Sequence, residues 1–120
     1  MSLIIGRKKL MVAQAVAKNA TEYSSSMKLD RCNGNVAVLL KTTAGDITVT
    51  QQCSNDDITF YSPVDAAGAA LGAVATNATV TTGKYISYSP VIAPYIRYKV
   101  VENNTAATVV DLEIVFQEES

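Results

Sequence analysis

Adjacent carboxylates are the residues of this sequence whose type and spacing could bind a metal ion. Asp56 and Asp57 follow one another, and Asp46 and Asp65 lie nearby in the sequence on either side. Carboxylate oxygens are the ligands that Ca²⁺ prefers in proteins. Adjacent carboxylates in a turn are, however, usually solvated turn residues. We therefore expect no metal site and no cofactor.

The sequence offers few candidates for catalytic side chains. The chain contains no histidine, which is the commonest general base and transition-metal ligand. A glycosidase would need two carboxyl groups that face each other across a cleft, and no spacing places any two of Glu22, Glu102 and Glu113 together. Residues 24–26 are serines without a neighbouring base, and nothing supports a Ser–Lys pair. We expect a protein that is not an enzyme and has no catalytic residue.

The tyrosines are the most usable surface feature of the sequence. Tyrosine has an apolar body and a polar tip, and it is enriched in protein interfaces and sugar sites. Tyr85, Tyr88, Tyr95 and Tyr98 are the candidates, with packing in the core as the alternative. A coplanar, solvent-facing pair would favour glycan binding, whereas burial between subunits would favour assembly.

Composition indicates one globular domain. The chain has 120 residues, of which 48% are hydrophobic and 18% are charged, and a chain of this length can bury a core without metals or disulfides. Its net charge of −1, from 10 basic and 11 acidic residues, indicates no nucleic-acid partner. No segment approaches the ~20 apolar residues of a membrane span.

The N-terminal segment resembles a signal peptide only superficially. Three basic residues, 7–9, precede a short apolar run, as in a signal peptide. The run is brief and Gln14 interrupts it, so we expect this segment to belong to the mature protein. Residues 2–5 form a short apolar arm, which either pairs with a partner or pads the domain. The basic triplet is either a solvated edge or a contact for an acidic neighbour.

Residues 93–116 are the stretch around which we expect the fold to be organised. Two runs of alternating apolar and polar residues flank a polar tip. The apolar positions are Ile96, Tyr98 and Val100 in the first run and Val110, Leu112, Ile114 and Phe116 in the second. This alternation is typical of strands with one buried face. We predict a long antiparallel hairpin, in which Arg97 pairs with Glu102, Asp111 or Glu113 or else contacts a partner.

The remaining sequence indicates further strands separated by turn signals. The predicted strands cover residues 9–18 (where helix is the alternative), 22–30, 36–42, 47–53, 58–61, 71–74, 78–80 and 84–89. Residues 63–82 are rich in Ala and Gly and are predicted as a loop whose small side chains suit packing against a neighbouring subunit, with a ligand contact as the alternative and one short helix possible at 65–70. The fold class is all-β, an antiparallel, jelly-roll-like β-sandwich of about eight or nine strands. Residues 1–18 form the arm and first strand, and residues 19–120 form the sandwich.

The two cysteines, Cys32 and Cys53, are expected to remain unbridged. A turn at residues 43–46 would place Cys53 opposite Val36, about 13 Å from Cys32 at ~3.3 Å per residue. A disulfide needs Cα atoms within about 7 Å. We therefore expect two small thiols, buried or half-buried, unless a bent turn at residues 33–34 brings them together.

Two stretches resemble small β-sandwich structural proteins of tailed bacteriophages. Residues 54–60, SNDDITF, resemble the Ser-x-Asp-Gly-x-x-aromatic turn of those proteins. Residues 93–100, the tip at 103–105 and residues 112–118 resemble their last hairpin. The resemblance covers roughly residues 20–118. Asp57 stands where the family has Gly, and Asp tolerates a left-handed backbone less well, so we expect the turn to differ.

The resemblance implies a capsid decoration or auxiliary head protein. Such proteins lie on the virion surface, often as homotrimers, and are made in the bacterial cytoplasm. The implied partners are the major capsid protein and further copies of the chain, without nucleic acid or membrane. The interface residues we expect are Leu3, Ile4, Ile5, Arg7, Lys8, Tyr95 and Arg97. The alternatives are a tail, neck or fibre component and, from another class, a carbohydrate-binding module that uses surface tyrosines.

Overall fold

The computed structural model describes residues 3–29 and 32–119. Within these residues all regular structure is β-strand, so the predicted all-β class is confirmed. The strands are β1 (Leu3–Val16), β2 (Thr21–Tyr23), β3 (Met27–Lys28), β4 (Val36–Thr42), β5 (Ile47–Ser54), β6 (Ala73–Ala78), β7 (Lys84–Tyr88), β8 (Tyr95–Glu102) and β9 (Thr108–Glu119). Residues 65–70 form turns and an isolated bridge rather than the short helix considered above.

Two antiparallel sheets pack face to face as a sandwich. Sheet A has the strand order β1-β9-β4-β7, and sheet B has the order β2-β8-β5-β6, with β3 also paired to β8. The period-2 pattern places the core between them. The fully buried side chains from the two long central strands are Ile96, Tyr98 and Val100 of sheet B and Val110, Leu112 and Ile114 of sheet A.

The predicted hairpin of residues 93–116 is wrong. β8 pairs with β5 and β2 in sheet B, whereas β9 pairs with β1 and β4 in sheet A. The chain therefore crosses from one sheet to the other between Glu102 and Thr108. The apolar faces of β8 and β9 meet across the core, because alternation fixes which side chains are buried but not which strand is the neighbour.

The same error affects the pairing predicted around the cysteines. β4 and β5 also lie in different sheets, so Cys53 is opposite Ile96 rather than Val36. Cys32 forms a bridge with Glu118 of β9. Both thiols are half-buried and no disulfide joins them, as expected, although the predicted register was wrong. Burial raises the pKa of the Cys53 thiol.

Strand β1 is longer than the sequence indicated. Residues 9–16 are strand rather than helix, and residues 3–5, expected as an arm, continue the same strand along β9. Shifts in register occur between Lys9 and Gln14, and Ala13 in this bulge has a φ of 47°. Met1 and Ser2 of the predicted arm lie outside the described residues. β1 thus forms an edge of sheet A.

The predicted strand at residues 22–30 is interrupted. β2 and β3 both pair with β8, but Ser24 between them is buried, whereas Tyr23 and Ser25 are exposed. Ser24 Oγ accepts a hydrogen bond from the Tyr98 N–H at 2.8 Å. Its side chain therefore satisfies a backbone donor where the strand breaks. Asp30 of this predicted strand lies outside the described residues.

The turn after β5 keeps the left-handed residue of the phage-type turn, although glycine is absent. Asp57 has a φ of 61°. Ser54 Oγ accepts from the N–H groups of Asp56 and Asp57, and Asp56 Oδ1 accepts from those of Ile58 and Thr59. The hydrogen bonds that the Asp56 carboxylate accepts from the Thr59 and Ile58 N–H groups and from the Ser54 hydroxyl lower its pKa. The strand predicted at residues 58–61 is wrong, since residues 58–60 form no strand and only Tyr61 makes an isolated bridge, to Cys53, while Ile58 is 82% exposed.

Glu102, at the end of β8, joins three loops at one end of the sandwich. Its side chain is fully buried. Its carboxylate accepts hydrogen bonds from the backbone N–H groups of Asn19, Asp46, Thr105 and Ala106, at 2.9 to 3.3 Å. Burial alone would raise the pKa of this carboxyl, but the four donors outweigh burial and hold the pKa at about 2. Ionised Glu102 therefore stabilises the β1–β2, β4–β5 and β8–β9 loops.

Candidate functional site

The outer face of sheet A carries apolar side chains where a solvated sheet face would be polar. Ala37 and Leu39 of β4 and Val115 of β9 alternate with core residues and are half-buried on the outer side. Ile5 of β1 and Tyr85 of β7 are 67% and 69% exposed. We call these five residues the apolar stripe.

The strand register links the apolar stripe directly from Val115 to Tyr85 and diagonally to Ile5, because Arg7 is the residue opposite Val115 on β1. Val115 lies directly opposite Ala37, and Leu39 lies opposite Tyr85. Residues two apart on one strand share a face at about 7 Å, so Ala37 and Leu39 are neighbours. Ile5 pairs in backbone register with Gln117, two residues beyond Val115. The stripe therefore crosses all four strands of sheet A.

Charged residues of both signs border the apolar stripe. Lys9 lies opposite Glu113 and Lys41 lies opposite Asp111, which are favourable cross-strand pairs, and both pairs lie on the same side of the stripe. Together with Arg7 they line an open hollow of about 550 Å³. A second hollow, of about 300 Å³, is lined in part by Ile5, Ala37 and Val115. An apolar centre with a charge-balanced border is the anatomy of a protein–protein interface.

The predicted interface residues divide between the two sheets. Leu3, Ile4, Ile5, Arg7 and Lys8 belong to β1 of sheet A, whereas Tyr95 and Arg97 belong to β8 of sheet B. On β1, Ile5 and Arg7 lie on the outer face. Ile4 and Lys8 lie on the opposite face, where Ile4 is still 47% exposed. The structure therefore brings Ile5 and Arg7 to the apolar stripe and places Ile4 and Lys8 on the other face of β1, whereas Tyr95 and Arg97 lie in sheet B.

Arg97 makes none of the ion pairs considered from the sequence. Glu102 is buried among loop amides, and Asp111 and Glu113 lie in the other sheet. The Arg97 guanidinium is instead stacked between two aromatic rings, with its Cζ atom 4.2 Å from the centroids of both Tyr23 and Phe60.

The four candidate tyrosines are spread over the molecule. Tyr88 and Tyr98 pack edge to face in the core, with ring centroids 6.3 Å apart and hydroxyl oxygens 2.7 Å apart. Burial raises the pKa of both. Tyr85 lies on the outer face of sheet A, and Tyr95 lies in sheet B beneath Lys28. These four tyrosines form no coplanar solvent-facing pair of the kind that would favour a glycan.

The aspartates considered as metal ligands accept hydrogen bonds from neighbouring backbone and side-chain groups. Asp65 Oδ1 accepts hydrogen bonds from two backbone N–H groups of its own turn, and Asp46 Oδ1 accepts from the Asn103 side chain at 2.7 Å. Among residues 3–29 and 32–119, no three Asp, Glu or Cys side chains are grouped as a metal ion would require. The same residues contain no helix long and apolar enough to cross a membrane.

The sequence did not point to Ala37, Leu39 and Val115 of the apolar stripe, nor to the contacts of Arg97 with aromatic rings. One signal for the stripe was present, because residues 36–42 are apolar on both faces of the predicted strand. An outward Leu39 follows from that same pattern. No sequence pattern indicated that Tyr23 and Phe60 contact Arg97, because the three residues belong to segments that are distant in the chain.

No family model matches this chain, and no curated protein matches it. Several solved structures share its fold. The SPBc2 prophage-derived protein YomS has a TM-score of 0.56 and 10% identity, and the match covers 96% of each chain. A chain in the structure of infectious bursal disease virus Gx strain has a TM-score of 0.55 and 10% identity over 97% of this chain. This chain spans about a third of that one, as the match covers 32% of it.

A third structure, the Yersinia pseudotuberculosis-derived mitogen, has a TM-score of 0.51 and 10% identity. That match covers 99% of this chain and 89% of the mitogen. At such identities the likeness concerns the fold alone. The chain is an antiparallel β-sandwich of a form that also occurs in prophage-derived, viral and bacterial proteins.

Proposed function

We propose that this protein is a non-enzymatic structural protein of a bacteriophage virion. It decorates or stabilises the capsid exterior through contacts with the major capsid protein and with further copies of itself, as a homotrimer. It is made in the cytoplasm of the bacterial host and resides on the particle surface. A role in the tail, neck or fibre is the alternative within the same class.

The apolar stripe is the observation that carries this proposal. Burying an exposed Ile or Tyr side chain contributes about 1.5–3 kcal/mol when burial is complete. Ile5 and Tyr85 are each about two-thirds exposed, so covering each one stabilises a complex by about 1–2 kcal/mol. A contiguous apolar patch of this kind on a sheet face marks a contact surface for another protein.

The fold and the sequence resemblance support the same proposal. The phage-type turn keeps its left-handed residue at Asp57, and the sandwich is shared with a prophage-derived protein and a viral chain. A β-sandwich whose apolar stripe is bordered by charged residues of both signs suits a protein that binds a partner through a complementary surface. Ile5 and Arg7 then contact the capsid or a neighbouring copy from the edge of sheet A.

Cosedimentation with empty expanded capsids of the source phage tests this proposal. Ile5→Asp places a charge in the apolar stripe and should weaken binding about tenfold or more, because the carboxylate must be desolvated at the contact. Ile92→Asp is the matched control, because Ile92 is 85% exposed in the loop before β8 and lies outside the stripe. Equal occupancy of both variants, at unchanged thermal stability, would contradict the proposed surface.

A further inference from the structure

Arg97 is held rigidly on the outer face of sheet B. The rings of Tyr23 and Phe60 stack on its guanidinium, each with its centroid 4.2 Å from Cζ. Its Nε–H donates a hydrogen bond to Gln52 Oε1 at 2.8 Å, and Gln52 Nε2 in turn donates to Ser62 Oγ at 3.3 Å. We call Arg97 with Tyr23, Phe60 and Gln52 the Arg97 cage.

The cage leaves one part of the guanidinium available. A guanidinium carries five N–H donors and no acceptor. Nε–H is used by Gln52, and the Tyr23 and Phe60 ring centroids each lie 4.2 Å from Cζ, which leaves the four N–H groups of the two Nη atoms. Among the described residues these groups have no hydrogen-bond or ion-pair partner. Arg97 is only half-buried, so its edge is open to a ligand.

Positive charge accumulates along β8 around the cage. Lys99 lies two residues from Arg97 on the same face, opposite Tyr23. Lys28 lies over the Tyr95 ring, with Nζ 5.9 Å from its centroid. The acidic groups of the turn that supplies Phe60 are Asp56, which accepts a hydrogen bond from Ser54 Oγ, and Asp57, whose Oδ1 accepts one from Ser26 Oγ. This face is locally cationic although the whole chain has a net charge of −1.

We propose that the Arg97 cage is a preformed binding site for the carboxylate of an acidic peptide segment in a protein partner. The two Nη groups receive the carboxylate in the bidentate geometry that arginine favours, and Lys99 adds long-range attraction. Because the rings and Gln52 already fix the guanidinium, little side-chain freedom is lost on binding. The carboxylate site rests on this geometry, and only the location of the partner, in the particle, rests on the proposed function.

A protein carboxylate fits the cage better than a sugar. Sugar sites use aromatic faces as stacking platforms, but Arg97 already covers one face of Tyr23 and of Phe60. An arginine packed among aromatic side chains is instead the composition of an interface hot spot. Tyr23 is 46% exposed and supplies an apolar rim beside the charged edge.

The test follows the Arg97 Nε–H signal by NMR during titration with an acetylated, amidated glutamate tetrapeptide. We expect a saturable shift of this signal and no response to the matching glutamine tetrapeptide. The backbone amide signals of β8, which every variant retains, should show about tenfold weaker peptide binding for Arg97→Lys, because the lysine ammonium keeps the charge but lacks the paired N–H donors of the guanidinium. Lys99→Gln should retain the shift, with lower affinity and a weaker salt dependence. The titration of the unaltered protein needs no variant, so it stands even if Arg97→Lys unfolds.

Three results would overturn this proposal. The first is no shift of the Arg97 signal, and the second is equal binding by Arg97→Lys, which would mean unspecific charge attraction. The third is a response to galacturonate oligomers but not to the glutamate peptide, which would make the cage a glycan site. If the peptide binds but the capsid does not, the proposed carboxylate site is retained and the proposed function is refuted. If Arg97→Lys leaves capsid binding unchanged and the peptide does not bind, the carboxylate site is refuted and the proposed function is retained.

Discussion

The serine at position 24 allows a sharp test of how sheet B is held together. Ser24 is buried between β2 and β3, where its N–H donates to the Tyr98 carbonyl at 2.9 Å and its Oγ accepts from the Tyr98 N–H at 2.8 Å. Ser24→Ala removes that acceptor. Tyr98 is fully buried, so its N–H would be left without a partner. An unsatisfied buried donor costs about 1–3 kcal/mol.

The expected change is large enough for ordinary thermal and urea unfolding. At about 2 cal/mol/K of unfolding entropy per residue, a domain of this size should lose about 4–12 °C in Tm. Ser25→Ala is the matched control, because Ser25 is exposed and its side chain makes no hydrogen bond within the described residues. If the two variants differ by less than about 0.5 kcal/mol, the role assigned to Ser24 Oγ is refuted.

Two further predictions concern the loops and the edge of sheet A. Glu102 has a folded pKa of about 2 against an ordinary value of 4.5, so its stabilising effect should be complete above about pH 4.5 and lost as the pH falls towards 2. Glu102→Gln should therefore flatten the dependence of unfolding free energy on pH in that window, as measured by urea titrations, and an unchanged slope would contradict the loop assignment. Ile4 is 47% exposed at the edge of sheet A but lies on the face of β1 opposite the apolar stripe, so Ile4→Asp should weaken capsid binding less than Ile5→Asp without unfolding the domain, and an equal or larger loss of occupancy would contradict the stripe as the main contact.

The sequence predicted which side chains are buried better than which strands pair. Alternation in residues 93–116 correctly identified Ile96, Tyr98 and Val100 as core, since period 2 is a property of one strand by itself. It could not reveal that β8 and β9 lie in different sheets. Their backbone hydrogen bonds go to β5 and β1, which are distant in the chain, and no residue pattern specifies those partners.

The candidate sites were less predictable for the same reason. Ile5 and Arg7 were expected at an interface, and Ile5 belongs to the apolar stripe while Arg7 borders it. The Arg97 cage depends on Tyr23 from β2 and Phe60 from a loop, whose approach is set by tertiary packing. Glu102 looked like an exposed partner for Arg97, but the convergence of three loops buries it.

The copy number of the protein on purified particles tests the central claim most directly. The measurement is quantitative mass spectrometry of the chain after cosedimentation with expanded capsids, relative to the major capsid protein. A virion decoration protein should be present in amounts comparable to the major capsid protein, and Ile5→Asp should reduce that amount where Ile92→Asp does not. A handful of copies per particle would assign the protein to the tail or neck instead. An absence of binding would contradict a structural role in the virion.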